Sequence, residues 1–107
     1  MSLQILREKL KQEFYVDNLY EMAHLCRNLA LDMGSPAPFF LLEHIFTDIA
    51  KRWEDVPLTV EEAQSAKSKM IEPLEDLIER IDANASSEEI FNLLNQVVSA
   101  YYLISFK

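Results

Sequence analysis

Residues 59–83, TVEEAQSAKSKMIEPLEDLIERIDA, carry the clearest helical signal in this chain of 107 residues. Thr59 and Glu62 have the spacing of a capping box, in which each side chain hydrogen-bonds to the other residue's backbone at the start of a helix. Positions three and four residues apart then repeat, and such positions share one face of a helix. They are Val60, Ala63, Lys67, Met70, Leu74, Leu77 and Ile81, all apolar except the lysine. The segment therefore predicts an amphipathic helix over about residues 60–83, with a kink before Pro73.

The same periodicity predicts four further helices, over about residues 3–15, 17–33, 36–54 and 87–104. The first two could also form one long helix bent near Val16. Gly34, the only glycine, marks the end of the second helix, and Ser35-Pro36 marks the start of the third. Ser86-Ser-Glu-Glu89 is a second capping-box pattern before the last helix. A terminal strand is the alternative for residues 97–106, which are rich in β-branched and aromatic residues.

These elements predict an all-α fold in a single domain over residues 1–107. The short connections at residues 33–36, 55–59 and 83–86 favour antiparallel neighbours. We therefore expect an antiparallel up-down bundle of four principal helices with an additional N-terminal helix. Its length is sufficient for a modest hydrophobic core without disulfides or a structural metal.

The composition excludes several classes of site. A phosphate-binding loop, a dinucleotide fingerprint and a G-x-S-x-G nucleophile elbow all require more than one glycine. Cys26 is the only cysteine, so no internal disulfide can form, and a reducing cytoplasmic setting is expected. No apolar run is long enough for a membrane span, and the N-terminus lacks the apolar core of a secretory signal. No cofactor is predicted.

The charge is strongly acidic and unevenly distributed. The formal net charge is −8, and residues 54–107 contain 11 acidic and 4 basic residues. Such a surface opposes binding to nucleic acids and anionic membranes, because both are bound through Lys and Arg. A protein partner with a basic surface suits it better, although an acidic surface can also serve solubility alone.

Two surfaces could bind such a partner. Phe91, Val98 and Tyr102 form a second apolar stripe on the last helix, which indicates either a central helix or an interface with another protein or a second copy. Carboxylates follow one face of the fourth helix, where they form either a solvated face or a docking stripe. They are Glu72, Glu75, Asp76 and Glu79, followed by Asp82.

A further apolar excess lies on the second and third helices. Tyr20 and Leu31 point away from the core face of the second helix, and Phe40 and Leu41 point away from that of the third. We expect the rest of the chain to cover all four side chains.

Metal binding is the alternative function. Glu21 and His24 form an E-x-x-H pair, and His24 and His44 are equidistant from Gly34. Di-iron bundles need two such pairs facing inward, whereas the helical phase turns these side chains outward. We therefore predict a small acidic protein–protein interaction or regulatory module without catalytic activity. The alternative is a metal- or small-ligand-binding bundle, extending to an all-α enzyme that depends on a divalent metal.

Overall fold

The computed structural model describes residues 2–32 and 36–104, and within them it contains five α-helices and no β-strand. The helices are α1 (Ser2–Leu10), α2 (Val16–Asp32), α3 (Pro36–Asp55), α4 (Val60–Asp82) and α5 (Ser87–Tyr102). The all-α prediction is confirmed, and in the segment where a strand was the alternative, residues 97–102 are helical and residues 103–104 form a turn. The predicted stop at Gly34 and the start at Ser35 lie outside the described residues.

The first helix ends at Leu10 and is shorter than predicted. α1 and α2 are therefore separate helices rather than one long bent helix. The end of α1 is held by a side chain from α4. The Lys67 ammonium donates to the carbonyl oxygens of Lys11, at 2.9 Å, and of Gln12, at 2.6 Å. Carbonyls at a helix C-terminus lack intrahelical partners, and a cation there also meets the negative end of the helix dipole. This explains why a lysine occupies an otherwise apolar repeat.

The two predicted capping boxes differ in outcome. At α4 both bonds form: the Glu62 amide donates to Thr59 Oγ1 at 3.2 Å, and the Thr59 amide donates to Glu62 Oε1 at 3.1 Å. At α5 the Glu89 amide donates to Ser86 Oγ at 3.2 Å, but the Glu89 carboxylate accepts from Arg80 Nη1 at 3.1 Å instead. The second box is therefore only half formed, because an ion pair to α4 has taken its glutamate.

Asn84 ends α4 without a glycine. It has a φ of 55°, in the left-handed region that asparagine tolerates better than most residues. Its amide donates to the Ile81 carbonyl at 3.1 Å, and the Ala85 amide donates to the Arg80 carbonyl at 3.0 Å. These two bonds form a Schellman motif, which reverses the chain into α5.

The closest backbone approaches join the helices in a ring around one core. α2 packs on α3, α3 on α5, α5 on α4, α4 on α1, and α1 on α2. α3 and α4, which the short 55–59 connection predicts as neighbours, make no such approach; α1 and α5 flank α4 instead. The largest fully buried side chains come from the first four helices and the α1–α2 connection: Phe14, Phe39, Phe46, Leu6, Leu10, Leu19, Met22, Leu42, Ile49, Met70, Leu74 and Leu77.

Candidate binding surfaces on helices α4 and α5

The carboxylates of α4 do not form one continuous surface. The carboxylates span an arc of α4 that is wide enough to face both neighbouring helices, α1 and α5. The structure therefore divides them between two grooves. Glu75 and Glu79 lie on the side of α1, whereas Glu72 and Asp76 lie on the side of α5. The sequence predicted the exposed acidic face but not this division.

On the α1 side, cations of the same chain face the carboxylates. Arg7 and Lys11 line a groove of about 330 Å³ together with Glu75 and Glu79. Arg7 Nη2 also lies 3.0 Å from Asp82 Oδ2 in an ion pair. A surface ion pair of this kind contributes about 0–1 kcal/mol to the stability of the fold. Its main effect is therefore to offset local negative charge. Asp82 is therefore paired within the chain, and Glu75 and Glu79 share their groove with two cations.

On the α5 side, no cation of the described residues forms an ion pair with the carboxylates. Glu72 and Asp76 form no hydrogen bond or ion pair within residues 2–32 and 36–104. They border the α4–α5 groove, which has a volume of about 410 Å³. The groove is lined by Glu72, Pro73 and Asp76 from α4 and by Asn95, Gln96, Ser99, Ala100 and Leu103 from α5 and its end.

The second apolar stripe of the last helix is largely exposed. We name Phe91, Val98 and Tyr102 the α5 stripe. Phe91 is 62% exposed and Tyr102 is 78% exposed, whereas Val98 is half-buried against the core. Within α5 only Val97 and Ala100 are buried, so the alternative of a central helix is wrong. α5 lies at the edge of the core with this stripe facing solvent.

A tyrosine next to the stripe fixes the orientation of α5. The Tyr101 hydroxyl donates to Asp48 Oδ2 on α3, which also accepts from Arg52 Nε at 3.0 Å. The pKa of Tyr101 is raised to about 12, mainly because the side chain is partly buried and secondly because its hydroxyl bonds to a carboxylate. The rings of Tyr101 and Tyr102 lie 5.5 Å apart at 52°, and only the first reaches α3. The bond therefore turns one tyrosine inward and leaves the next outward.

The apolar excess of α2 and α3 is covered only in part. Tyr20 and Leu41 are half-buried, and the Tyr20 hydroxyl donates to Glu54, which raises the pKa of Tyr20. Leu31 and Phe40 remain 78% and 58% exposed, so the expectation that the chain covers them is wrong. Both lie near the ends of α2 and α3, where the flanking helices offer no further cover.

The weak metal candidates are all exposed, as their helical phase predicts. Glu21 and His24 line one groove between α1 and α2, where Glu21 also pairs with Lys9. His44 packs edge-on against Phe40, with ring centroids 4.5 Å apart. Among the described residues, no three His, Cys, Asp or Glu side chains are grouped so that they could hold a metal ion.

Cys26 is fully buried in the core, as its position in the apolar stripe predicts. Burial raises the pKa of its thiol, which keeps the thiol protonated and unreactive at neutral pH. The residue therefore acts as a small apolar side chain rather than a nucleophile.

Compared with protein-family models, curated proteins and solved structures, the chain matches none. Within the described helices, none combines the length and the apolar character that crossing a membrane requires.

Sequence reasoning missed the roles of the α4 lysines. Lys69 Nζ donates to the Leu103 carbonyl at 3.2 Å and so holds the end of α5, as Lys67 holds the end of α1. The only sign of these roles in the sequence was that each lysine lies in or beside the apolar stripe of α4. Which carbonyl it meets depends on the tertiary packing of α4, which the spacing of residues does not give.

Proposed function

We propose that this protein is a small acidic interaction or regulatory module, which binds another protein and performs no catalysis. The observation that carries the proposal is the exposed α5 stripe. Large aromatic side chains cost free energy when they face water, and exposed apolar patches commonly mark interaction surfaces. Phe91 and Tyr102 are more than half exposed on the same side of one helix.

The geometry of the α5 stripe suits a helical interface. Its residues are spaced by seven and four positions, which keeps them on one side of α5 over about 16 Å. Burying a side chain such as Phe91 contributes about 1.5–3 kcal/mol. Aromatic residues are also enriched among the few positions that supply most of an interface's binding energy. The pair Phe91 and Tyr102 is therefore sufficient to anchor a partner.

The charge indicates the class of partner. Residues 54–107 hold 11 acidic and 4 basic residues and include both α4 and α5. A partner with a basic surface is attracted to this half, whereas nucleic acid and anionic membranes are repelled. A cytoplasmic setting forms part of the proposal, since it would keep the single Cys26 reduced.

The test compares two double variants of matched exposure. Phe91→Glu with Tyr102→Glu alters the α5 stripe, and Phe40→Glu with Leu31→Glu alters two exposed apolar side chains of α2 and α3. The exposed fractions are 62% and 78% in the first pair and 58% and 78% in the second. Each variant, tagged, is used in a pull-down from cells that naturally produce the protein, after circular dichroism has shown that it is folded.

We expect the wild type and the α2–α3 variant to capture the same partner protein. The α5 variant should not capture it. A partner retained by the α5 variant and lost from the α2–α3 variant would contradict the proposal. A stable partner that neither variant affects would also contradict it, because neither patch would then contribute to binding.

A second copy of the chain is the alternative occupant of the α5 stripe. A homodimer through this surface would be symmetric, with Phe91 near the same surface of the other copy. Light scattering distinguishes the cases: Phe91→Glu should convert a dimer to a monomer. A wild type that is monomeric at high concentration would exclude self-association and leave a different protein as the occupant.

The alternative function uses the groove between α1 and α2. His24 and Glu21 line it together with Ile5, Lys9, Tyr20 and Leu25, and its volume is about 400 Å³. Thermal unfolding with and without Mg²⁺, Mn²⁺, Zn²⁺ or Fe²⁺ tests metal binding there, and we expect no shift in Tm. A saturable increase that His24→Ala abolishes would favour the metal-binding alternative.

We also propose that α2–α5 run up and down as an antiparallel set, with α1 alongside. The short connections at residues 56–59 and 83–86 support this arrangement. Distances between spin labels placed at the two ends of each helix would test it.

A further inference from the structure

The α4–α5 groove combines an apolar floor with negatively charged edges. Pro73, Ala100 and Leu103 supply apolar surface, and Glu72 and Asp76 stand beside it on α4. Asn95 and Gln96 add amide groups on the α5 side. Its volume of about 410 Å³ lies in the range of small binding pockets, and its open shape admits side chains from a second molecule.

The cations of α4 are already engaged elsewhere. Lys67 donates to the end of α1, Lys69 donates to the Leu103 carbonyl, and Arg80 pairs with Glu89. Nothing in the described part of the chain therefore neutralises Glu72 and Asp76. These two carboxylates are four residues apart, a spacing at which like charges destabilise a helix by about 0.2–0.5 kcal/mol. A cation from another molecule would remove this repulsion.

The spacing of the carboxylates indicates the conformation of the molecule that supplies the cations. Glu72 and Asp76 are separated by about 6 Å along the α4 axis, since each residue rises 1.5 Å. Lysines or arginines four positions apart on a second helix have the same separation. An apolar residue between them on the same face would then meet Pro73 and Ala100. This is the pattern of an amphipathic helix in a groove.

We propose that the α4–α5 groove binds a basic amphipathic helix of the partner protein. The apolar face of that helix contacts Pro73, Ala100 and Leu103, and its cations pair with Glu72 and Asp76. The inference rests on the proposed function and names the chemistry of the partner. It also assigns different roles to the two sides of the acidic face, because Glu75 and Glu79 already face Arg7 and Lys11.

A synthetic peptide tests the inference without knowledge of the partner. The probe is a fluorescein-labelled amphipathic helix of leucines and lysines, with lysines four positions apart, and its counterpart carries glutamate in place of lysine. Fluorescence anisotropy measures their binding to the wild type and to two double variants. Glu72→Gln with Asp76→Asn alters the groove, whereas Glu75→Gln with Glu79→Gln removes the same charge from the α1 side of the same helix.

We expect the lysine peptide to bind the wild type and the glutamate peptide not to bind. The groove variant should bind the lysine peptide at least tenfold more weakly, and the α1-side variant less than threefold more weakly. Ser99→Trp fills the groove without changing the charge, and it should also weaken binding tenfold. Increasing salt should weaken the wild-type complex, because it screens the ion pairs.

Equal losses in the two charge variants would overturn the inference, because binding would then follow the net charge rather than the groove. Unchanged binding by Ser99→Trp, or no binding of the lysine peptide to the wild type, would overturn it as well. The proposed function is tested separately by the pull-down with the α5 and α2–α3 variants. A failure of the peptide titration alone therefore removes the groove as a binding site and leaves the α5 stripe standing.

Discussion

Lys67 shows how one residue can join two helices. It occupies an apolar repeat of α4 and donates to two carbonyl oxygens at the end of α1. Lys67→Met keeps the length of the side chain and removes both bonds. Since hydrogen bonds to charged groups contribute more than neutral ones, we expect the free energy of unfolding to fall by about 1–2 kcal/mol.

Urea unfolding followed by fluorescence measures this change, because the buried Trp53 is the only tryptophan. Lys51→Met is the control, since Lys51 is exposed and makes no hydrogen bond or ion pair among the described residues. Equal effects of the two substitutions would show that the Lys67 bonds do not stabilise the fold.

Ionisation of Tyr101 makes the free energy of unfolding depend on pH in the alkaline range. Folding raises the pKa of Tyr101 from 10.0 to about 12, so the folded state holds the proton more tightly than the unfolded state. The stabilisation is complete below pH 10 and is lost as the pH rises towards 12. We expect wild-type stability to fall more steeply than that of Tyr101→Phe across this window. Urea midpoints measured at pH 9, 10 and 11 would contradict this if the two proteins had parallel profiles.

Single residues were predicted well where the helical phase alone decides their position. Cys26 is buried, and Glu21, His24 and His44 are exposed, as a rotation of 100° per residue about the helix axis predicts. Glu89 was not predicted correctly, because its capping role competes with an ion pair to Arg80. That competition depends on the position of α4 relative to α5, which local sequence does not specify.

At the scale of an element, the end of α4 depends on the left-handed conformation of Asn84. Alanine in that conformation costs about 1–2 kcal/mol, whereas glycine adopts it freely. We expect Asn84→Ala to lower the free energy of unfolding by about 1 kcal/mol and Asn84→Gly to change it by less than about 0.5 kcal/mol. Urea unfolding checks both values.

Asn92→Ala is the matched control for this prediction, because Asn92 is an exposed asparagine within α5. It should be neutral or slightly stabilising, since alanine has the higher helix propensity. Asn84→Ala and Asn84→Gly of equal stability would show that the turn does not depend on backbone conformation at this position.

Helix positions follow closely from the sequence, whereas their ends follow less well. Apolar spacing and Thr59 predict α4 almost to the residue, because the capping box is a local interaction. α1 ends at Leu10 rather than near residue 15, and Lys67 from a distant segment donates to the carbonyls of the two residues that follow. Asn84 acts as the stop that a glycine usually provides, so composition alone did not reveal it.

At the scale of the whole molecule, the all-α class was predictable and the order of neighbours was not. Periodicity shows which face of each helix is apolar but not which helix covers it. α1 closes the ring between α2 and α4, and α5 lies against α3 and α4. This arrangement leaves the α5 stripe uncovered and divides the α4 carboxylates between two grooves. The surfaces that carry the proposed function therefore result from packing.

The most direct measurement places a photo-crosslinking residue, p-benzoylphenylalanine, in the position of Phe91 or, separately, of Phe40 in cells that naturally produce the protein. The two phenylalanines are 62% and 58% exposed, so their intrinsic access to neighbours is matched. We expect one discrete crosslinked product from position 91 and none of that mass from position 40. Products of the same mass from both positions, or a discrete product from position 40 alone, would contradict it.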